Sequence, residues 1–233
     1  MSANLLFPAP DLVTVPVVGQ EALYPVRRIF CVGRNYAAHA AEMGVAVDRE
    51  APFYFTKGRD DLVLSGATVP YPTGSKNYHY EMELVIAIGK EGFRVTADKA
   101  LDLVFGYAAG LDMTRRDLQL DARAKQRPWD FGKDFEKSAI LSPIVPASQT
   151  GPVTKGTIAL EVNGVTKQNS DISLLIFSVA EVVAHLSGYY HLQPGDLIYT
   201  GTPEGVGPVQ PGDKITGRVE GVAEIALTIG EAE

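Results

Sequence analysis

With 233 residues and 45% hydrophobic content, the chain can bury a proper core as one large β-rich unit or two small ones. A formal net charge of -7 argues against a nucleic-acid partner, whose phosphates select basic surfaces, although a local cluster of Lys and Arg can still meet a small anion. The single cysteine, Cys31, excludes an internal disulfide; it stands in the apolar run Ile29-Phe30-Cys31-Val32, reads as a core residue, and fits a reducing cytoplasm. The first residues show no basic stretch followed by a long apolar one, and nothing approaches the ~18 consecutive apolar residues of a membrane span. The expectation is a cytoplasmic protein with no membrane partner.

In chain order, residues 11–24 read as a Val- and Pro-rich strand with a turn at Gly19, and residues 26–32 as a strand running into Gly33-Arg34-Asn35-Tyr36. Asn35 can cap a short helix over 36–43, which Gly44 stops. Strands are expected at 52–57 and 66–72, and helices at 97–103 and 117–125. Beyond Pro128 the chain turns β-rich. Residues 158–162 and 165–168 flank Asn163-Gly164 as a hairpin, residues 172–186 carry apolar positions at helical spacing, and residues 196–199, 214–219 and 222–229 close the fold as strands. No linker interrupts this order. The fold class is α+β, dominated by a strongly curved or rolled sheet, with residues 1–25 as an extension packed on a unit of 26–233.

The run Tyr80-Glu81-Met82-Glu83-Leu84-Val85 sets two carboxylates two residues apart at the start of an apolar strand, so both point to one face. Like charges side by side repel unless a cation lies between them, and oxygen ligands suit a hard divalent ion such as Mg2+ or Mn2+. The alternative is an edge strand whose first residues reach solvent. A second small-residue strand, 104–112, ends on Asp112, a third carboxylate for the same ion or else the N-cap of the helix that follows.

His39 and Glu42 stand three apart on the short helix, where the carboxylate can orient the imidazole as a water-activating base; an exposed surface pair is the alternative. Arg34, Lys57 and Lys133 are candidate partners for a substrate carboxylate or a developing negative charge. Residues 200–207, Thr-Gly-Thr-Pro-Glu-Gly-Val-Gly, offer hydroxyls and bare N–H groups that can hold an oxyanion but lack the ending of a phosphate loop. His79 adjoins the Glu pair, whereas His185 and His191 read as structural.

Taken in order, the motifs from Val32 to His39, Glu81-Met82-Glu83, Gly110 to Asp117, Lys133-Asp134-Phe135 and Tyr199 to Gly207 resemble the fumarylacetoacetate hydrolase superfamily. Within it the chain looks most like short single-domain acylpyruvate hydrolases and, between Phe30 and Met43, like bacterial fumarylpyruvate hydrolases of gentisate breakdown. The resemblance implies a mixed β-roll, usually a homodimer, with Mg2+ or Mn2+ held by Glu81, Glu83 and Asp112 and a small 2-oxo acid as substrate. It implies His39 and Glu42 as a catalytic dyad on a mobile lid, Lys133 and Gln119 at the oxyanion or enolate, and Arg34, Asn35, Tyr36, Lys57 and Thr202 on the substrate. The same site suits oxaloacetate decarboxylation or isomerisation of a hydroxymuconate-type product. A metal-tied structural protein is the reading of another class.

Overall fold

Two short strands at opposite edges of the largest sheet, Phe53–Lys57 and Leu62–Leu64, are joined by only the residues between them, so the sheet has to curl until its edges approach. The computed structural model describes residues 5–44, 46–47 and 49–232. In chain order the strands that build the two main sheets are β1 (Arg28–Gly33), β2 (Phe53–Lys57), β3 (Leu62–Leu64), β4 (Thr68–Tyr71), β5 (Met82–Ile88), β6 (Val104–Asp112), β7 (Ala139–Leu141), β8 (Thr157–Val162), β9 (Val165–Asp171), β10 (Asp196–Tyr199), β11 (Lys214–Val219) and β12 (Ile225–Ala232). The helices that matter below are α1 (Ala37–Glu42), α2 (Arg116–Ala124), α3 (Asp130–Lys133) and α4 (Val179–Ser187). The curled sheet runs β2-β1-β10-β5-β6-β7-β3, and a second sheet runs β9-β8-β11-β12-β4.

Register decides which strand ends meet. Tyr199 lies opposite Cys31 in parallel and opposite Val85 in antiparallel pairing, and Met82 lies opposite Leu111. The ends of β1, β10 and β6 therefore gather at the start of β5. Side-chain alternation then sorts the faces. Ile29, Cys31, Val85, Ala87, Ala108, Leu197 and Tyr199 share one buried cluster, and Glu83 and Asp112 fall on the same parity. That face is concave: Lys57 on β2 reaches Asp112 on β6, four strand spacings and about 19 Å away in a flat sheet, with 2.9 Å between their charged atoms.

The opposite face carries Phe30, Val32, Leu84, Ile86, Ile88 and Ile198, which pack with Ile158, Leu160, Ile215 and Leu227 of the second sheet and with Val182, Val183 and Leu186 of α4. Close approach at the crowded start of β5 depends on Gly110, where a Cβ would stand 2.5 Å from Val85 Cγ2 and 2.6 Å from Tyr199 Cε1. Among the described residues no helix is long and apolar enough to cross a membrane.

Several local expectations give way to tertiary contacts. Residues 11–24 form a small ladder, Thr14–Val15 with Tyr24–Pro25, because Pro16 lacks the N–H a longer strand needs. Helix α1 begins after Tyr36 without a side-chain cap, and Asn35 is drawn instead into long-range bonds described below. The helical spacing over 172–186 resolves into a 3-10 turn, Ile172–Leu174, and α4, whose start is fixed by a capping box between Ser178 and Glu181. The Asn163-Gly164 hairpin forms, with a bulge between Leu160 and Glu161.

The first ladder closes the far end of the curl. Val15, Val17, Tyr24 and Val26 join the concave cluster, and the Tyr24 hydroxyl donates to the Ile88 carbonyl (2.8 Å) and accepts from Gly195 N–H (3.1 Å). Tyr24→Phe should lower stability by about 1 kcal/mol, the net worth of a buried hydrogen bond, because the Ile88 carbonyl and Gly195 N–H lose the hydroxyl but keep their bond to each other, and should leave the kinetics of the distant carboxylate end unchanged. Urea unfolding with a parallel activity assay checks both halves.

Candidate active site

Glu81 precedes β5, Glu83 is its second residue and Asp112 ends β6; these residues are 4%, 1% and 0% exposed, and one oxygen from each lies within 4.8 Å of the others. This removes the solvent-facing alternative for the Glu pair, because β5 is paired on both sides. It also removes the capping alternative for Asp112: α2 starts after Arg115, with no side-chain cap.

Burying three carboxylates together is tolerable only with cations among them. Lys133, at the end of α3, spends its three N–H donors on Glu81 Oε2 (2.7 Å), Asp112 Oδ2 (2.7 Å) and Thr114 Oγ1 (2.8 Å). Gly132 permits this placement, since a Cβ there would lie 2.8 Å from Gln119 N, so α3 can press against α2. Arg116 donates to Glu81 Oε1 and, at 2.5 Å, to Gln119 Oε1. Lys57 binds the carbonyls of Met113 and Lys133 and stands 2.9 Å from Asp112 Oδ1, off the line a hydrogen bond requires.

The charges divide unevenly. Burial pushes the Glu81 carboxyl up, but Lys133 and Arg116 outweigh it and hold the group below the ordinary carboxylate range. Burial, then Asp112 and Glu81, push Glu83 well above that range; Gly201 N–H at 2.7 Å is its hydrogen-bond partner. Burial lowers Lys133, yet Asp112 and Glu81 raise it further than burial takes it down. Glu83 thus has no ion-paired cation among the described residues, and Asp112 Oδ1 is buried without a hydrogen bond. An all-oxygen set in which Glu83 has no cationic partner and Asp112 Oδ1 accepts no hydrogen bond fits a hard divalent ion.

His39, 6% exposed, points its Nδ1 at Glu42 Oε2, 3.1 Å away. Glu42 is held in turn by Gly205 N–H, at 3.1 Å from Oε1 and 3.3 Å from Oε2. Gly205 has φ +91, and a Cβ there would lie 2.1 Å from Lys167 O, so only glycine brings this N–H to Glu42. The 200–207 run does hold carboxyl oxygens, and they are the protein's own: Glu83 at Gly201 and Glu42 at Gly205.

One cavity collects Arg34, His39, Glu81, Glu83, Gln119, Lys133 and Thr202 from the expected set. Thr202 Oγ1 accepts from buried Gln168 Nε2 (2.9 Å), which leaves its O–H free to donate into the cavity. Arg34 adopts φ 56 and stacks over Phe53 (5.1 Å) and Trp129 (5.7 Å). Five expected residues lie outside the cavity lining: Glu42 and Asp112, which stand directly behind His39 and Lys133, and Asn35, Tyr36 and Lys57. Asn35 is a staple, donating to Phe177 O (2.9 Å) and Thr200 O (2.8 Å) and accepting from Phe177 N–H (2.7 Å). Tyr36 is buried in the core, and Lys57 sits behind Asp112.

Sequence reasoning passed over Arg116, Arg123 and Trp129, which also line the cavity. The available signal was the polar stripe Arg116, Gln119, Arg123 at helical spacing in a helix expected at 117–125. His79 contacts Arg116 (3.5 Å) and Asn77 Oδ1 (2.8 Å); burial and then the guanidinium lower it to about 4, so it is an uncharged support at neutral pH. His185 stacks on Tyr54 and His191 on Phe93. Cys31 is wholly buried, and burial raises its thiol.

The chain is 66% identical over 193 residues to a fumarylpyruvate hydrolase from a Ralstonia species, covering 82% of this chain and all of that one. It is 39% identical over 197 residues to a mitochondrial oxaloacetate decarboxylase of Dictyostelium discoideum, with 84% and 90% covered. Its structure superposes with a TM-score of 0.95 on the fumarylpyruvate hydrolase of Pseudomonas aeruginosa in complex with Mn2+ and pyruvate, at 48% identity over 98% of this chain and 100% of that one. Residues 28–230 match the fumarylacetoacetate (FAA) hydrolase C-terminal family, and the chain belongs to that family.

Proposed function

We propose that the chain is a fumarylpyruvate hydrolase that uses Mg2+ or Mn2+ to cleave a C–C bond of an acylpyruvate in aromatic-ring (gentisate) breakdown. The observation that carries this is a cavity lined by His39, which Glu42 orients, and by Glu81 and Glu83 of a buried three-carboxylate cluster completed by Asp112, in a chain 66% identical to a fumarylpyruvate hydrolase. A merely structural ion needs no such base. We further propose a cytoplasmic homodimer in which residues 26–233 form the catalytic unit and 1–25 an extension.

Glu81, Glu83 and Asp112 would hold the ion, which when bound polarises the 2-oxo acid end of the substrate. Lys133, with every donor engaged, fixes the orientation of Glu81 and Asp112 and helps hold Glu81 ionised. Glu42 accepts the Nδ1 proton of His39, which leaves Nε2 as the basic nitrogen facing the cavity. His39 takes a proton from water as the water oxygen bonds to the distal carbonyl carbon. The bond from that carbon to the pyruvyl methylene then breaks, the electron pair leaves with pyruvate as its enolate, and the proton from His39 completes the methyl group. Fumarate and pyruvate result from one water and one substrate. The Gln119 amide and the Thr202 hydroxyl present free donors to the oxygen that becomes negative.

His39→Ala should lower kcat on fumarylpyruvate by about 10²–10⁴, the usual loss of a general base, while Mn2+ binding measured by calorimetry persists; full turnover by this variant would remove His39 from the reaction. EDTA should abolish pyruvate release. Conversely, Mn2+ at about 100 times its Kd should stabilise the fold by ~2.7 kcal/mol, read as a rise in Tm. Turnover in the presence of EDTA with no Mn2+ shift would overturn the metal assignment, and pyruvate from oxaloacetate alone would make the chain a decarboxylase.

A further inference from the structure

Helix α2 runs along the cavity with Arg116, Gln119, Leu120 and Arg123 all lining it. Arg116 sits on Glu81 at the carboxylate end. Arg123 is seven residues on, about 10.5 Å further along the axis, and its long side chain leans back toward the helix start. An acylpyruvate of seven carbons, chelated at one end, extends about 7 Å, the reach of two extended residues. The far end of such a substrate therefore arrives where Arg123 stands.

Arg123 and Arg34 line the same cavity, and among the described residues neither pairs with a carboxylate of the protein. Arg123 donates one N–H to Met43 O (3.3 Å) at the end of α1, which leaves most of its five donors unused. Arg34 is stacked on Phe53 and Trp129 with no ion pair. Burial, and then the charge on Arg123, hold Arg34 below its ordinary pKa, so the two guanidiniums feel each other. Two neighbouring cations without a counter-charge in the wall of the cavity that Glu81 and Glu83 also line are built to receive an anion.

Resting on the hydrolase reading above, we infer that Arg123 is a specificity-determining residue: with Arg34 it binds the terminal carboxylate of the acyl half and selects acylpyruvates that end in a carboxylate over those that end in a methyl group. The rest of the chemistry lies at the other end of α2, so the selection acts on binding. It should be visible chiefly in KM.

The test compares kcat/KM for fumarylpyruvate and for acetylpyruvate, with Mn2+, in the wild type, Arg123→Met and Arg123→Lys. Arg123→Met should lower the fumarylpyruvate-to-acetylpyruvate ratio by about 10- to 100-fold, the worth of a hydrogen bond to a charged group, and Arg123→Lys should lose less. A ratio unchanged within about threefold, whether or not both rates fall, overturns the assignment while leaving the hydrolase reading intact. A wild type that cleaves neither dioxo acid overturns both. Trp129, the only tryptophan of the chain, lines the cavity, so its fluorescence reads binding without turnover. Fumarate should bind the wild type more tightly than crotonate, which has a methyl group in place of one carboxylate, and Arg123→Met should erase that preference; a preference that survives the substitution counts against Arg123.

Discussion

Three carboxylates share a buried space in which one oxygen from each lies within 4.8 Å of the others, and much of the structure serves to make that arrangement bearable. The compensating charges come from separate parts of the chain: Lys57 from an edge strand, Arg116 from the start of α2, Lys133 from the end of α3. An isolated buried carboxylate is too costly to keep ionised, so cations must arrive from several directions. The curl of the large sheet lets Lys57 arrive from the far edge, and Gly132 lets Lys133 arrive beside Gln119. Glu83 is left without such a partner, and burial with two like charges pushes it toward the protonated form. That residual imbalance is what a divalent ion corrects.

The second dependence runs through backbone N–H groups. Gly201 and Gly205 belong to one turn-rich segment, and each hands its N–H to a carboxylate, Glu83 in the cluster and Glu42 behind His39. A single short segment thus sets the position of both halves of the site. Asn35 reinforces it by tying Thr200 and Phe177 together across long sequence distances, next to the start of α1. The dyad helix has only six residues and no side-chain cap. Helices this short are not stable by themselves, so its placement relies on these contacts.

Helix α2 gives the cavity a length. Its first turn contacts the carboxylates, its middle offers the Gln119 amide, and its last turn brings Arg123 to the far end. Because one rigid element carries all three, the spacing between reaction chemistry and terminal recognition is fixed by helix rise. The aromatic groups of Phe55 and Trp129 and the stacked Arg34 line the space around it. Chemistry and selection therefore sit on one scaffold but on different turns.

Much of this was legible in the residues alone. Alternation set Glu81 and Glu83 on one face, an apolar strand ended on Asp112, helical spacing paired His39 with Glu42, and Asn163-Gly164 announced its hairpin; each of these signals is local, arising within a few residues of backbone geometry. The ordered motifs pointed to the family because they carry chemistry at set intervals. Tertiary structure alone decided the rest: that Asn35 staples instead of capping, that Lys57 supports Asp112 from behind, that Lys133 spends every donor on the cluster, and that Arg116 and Arg123 face the cavity. Those outcomes depend on which distant strands become neighbours when the sheet curls, and on how much charge burial allows. Neither is encoded in the spacing of residues along the chain.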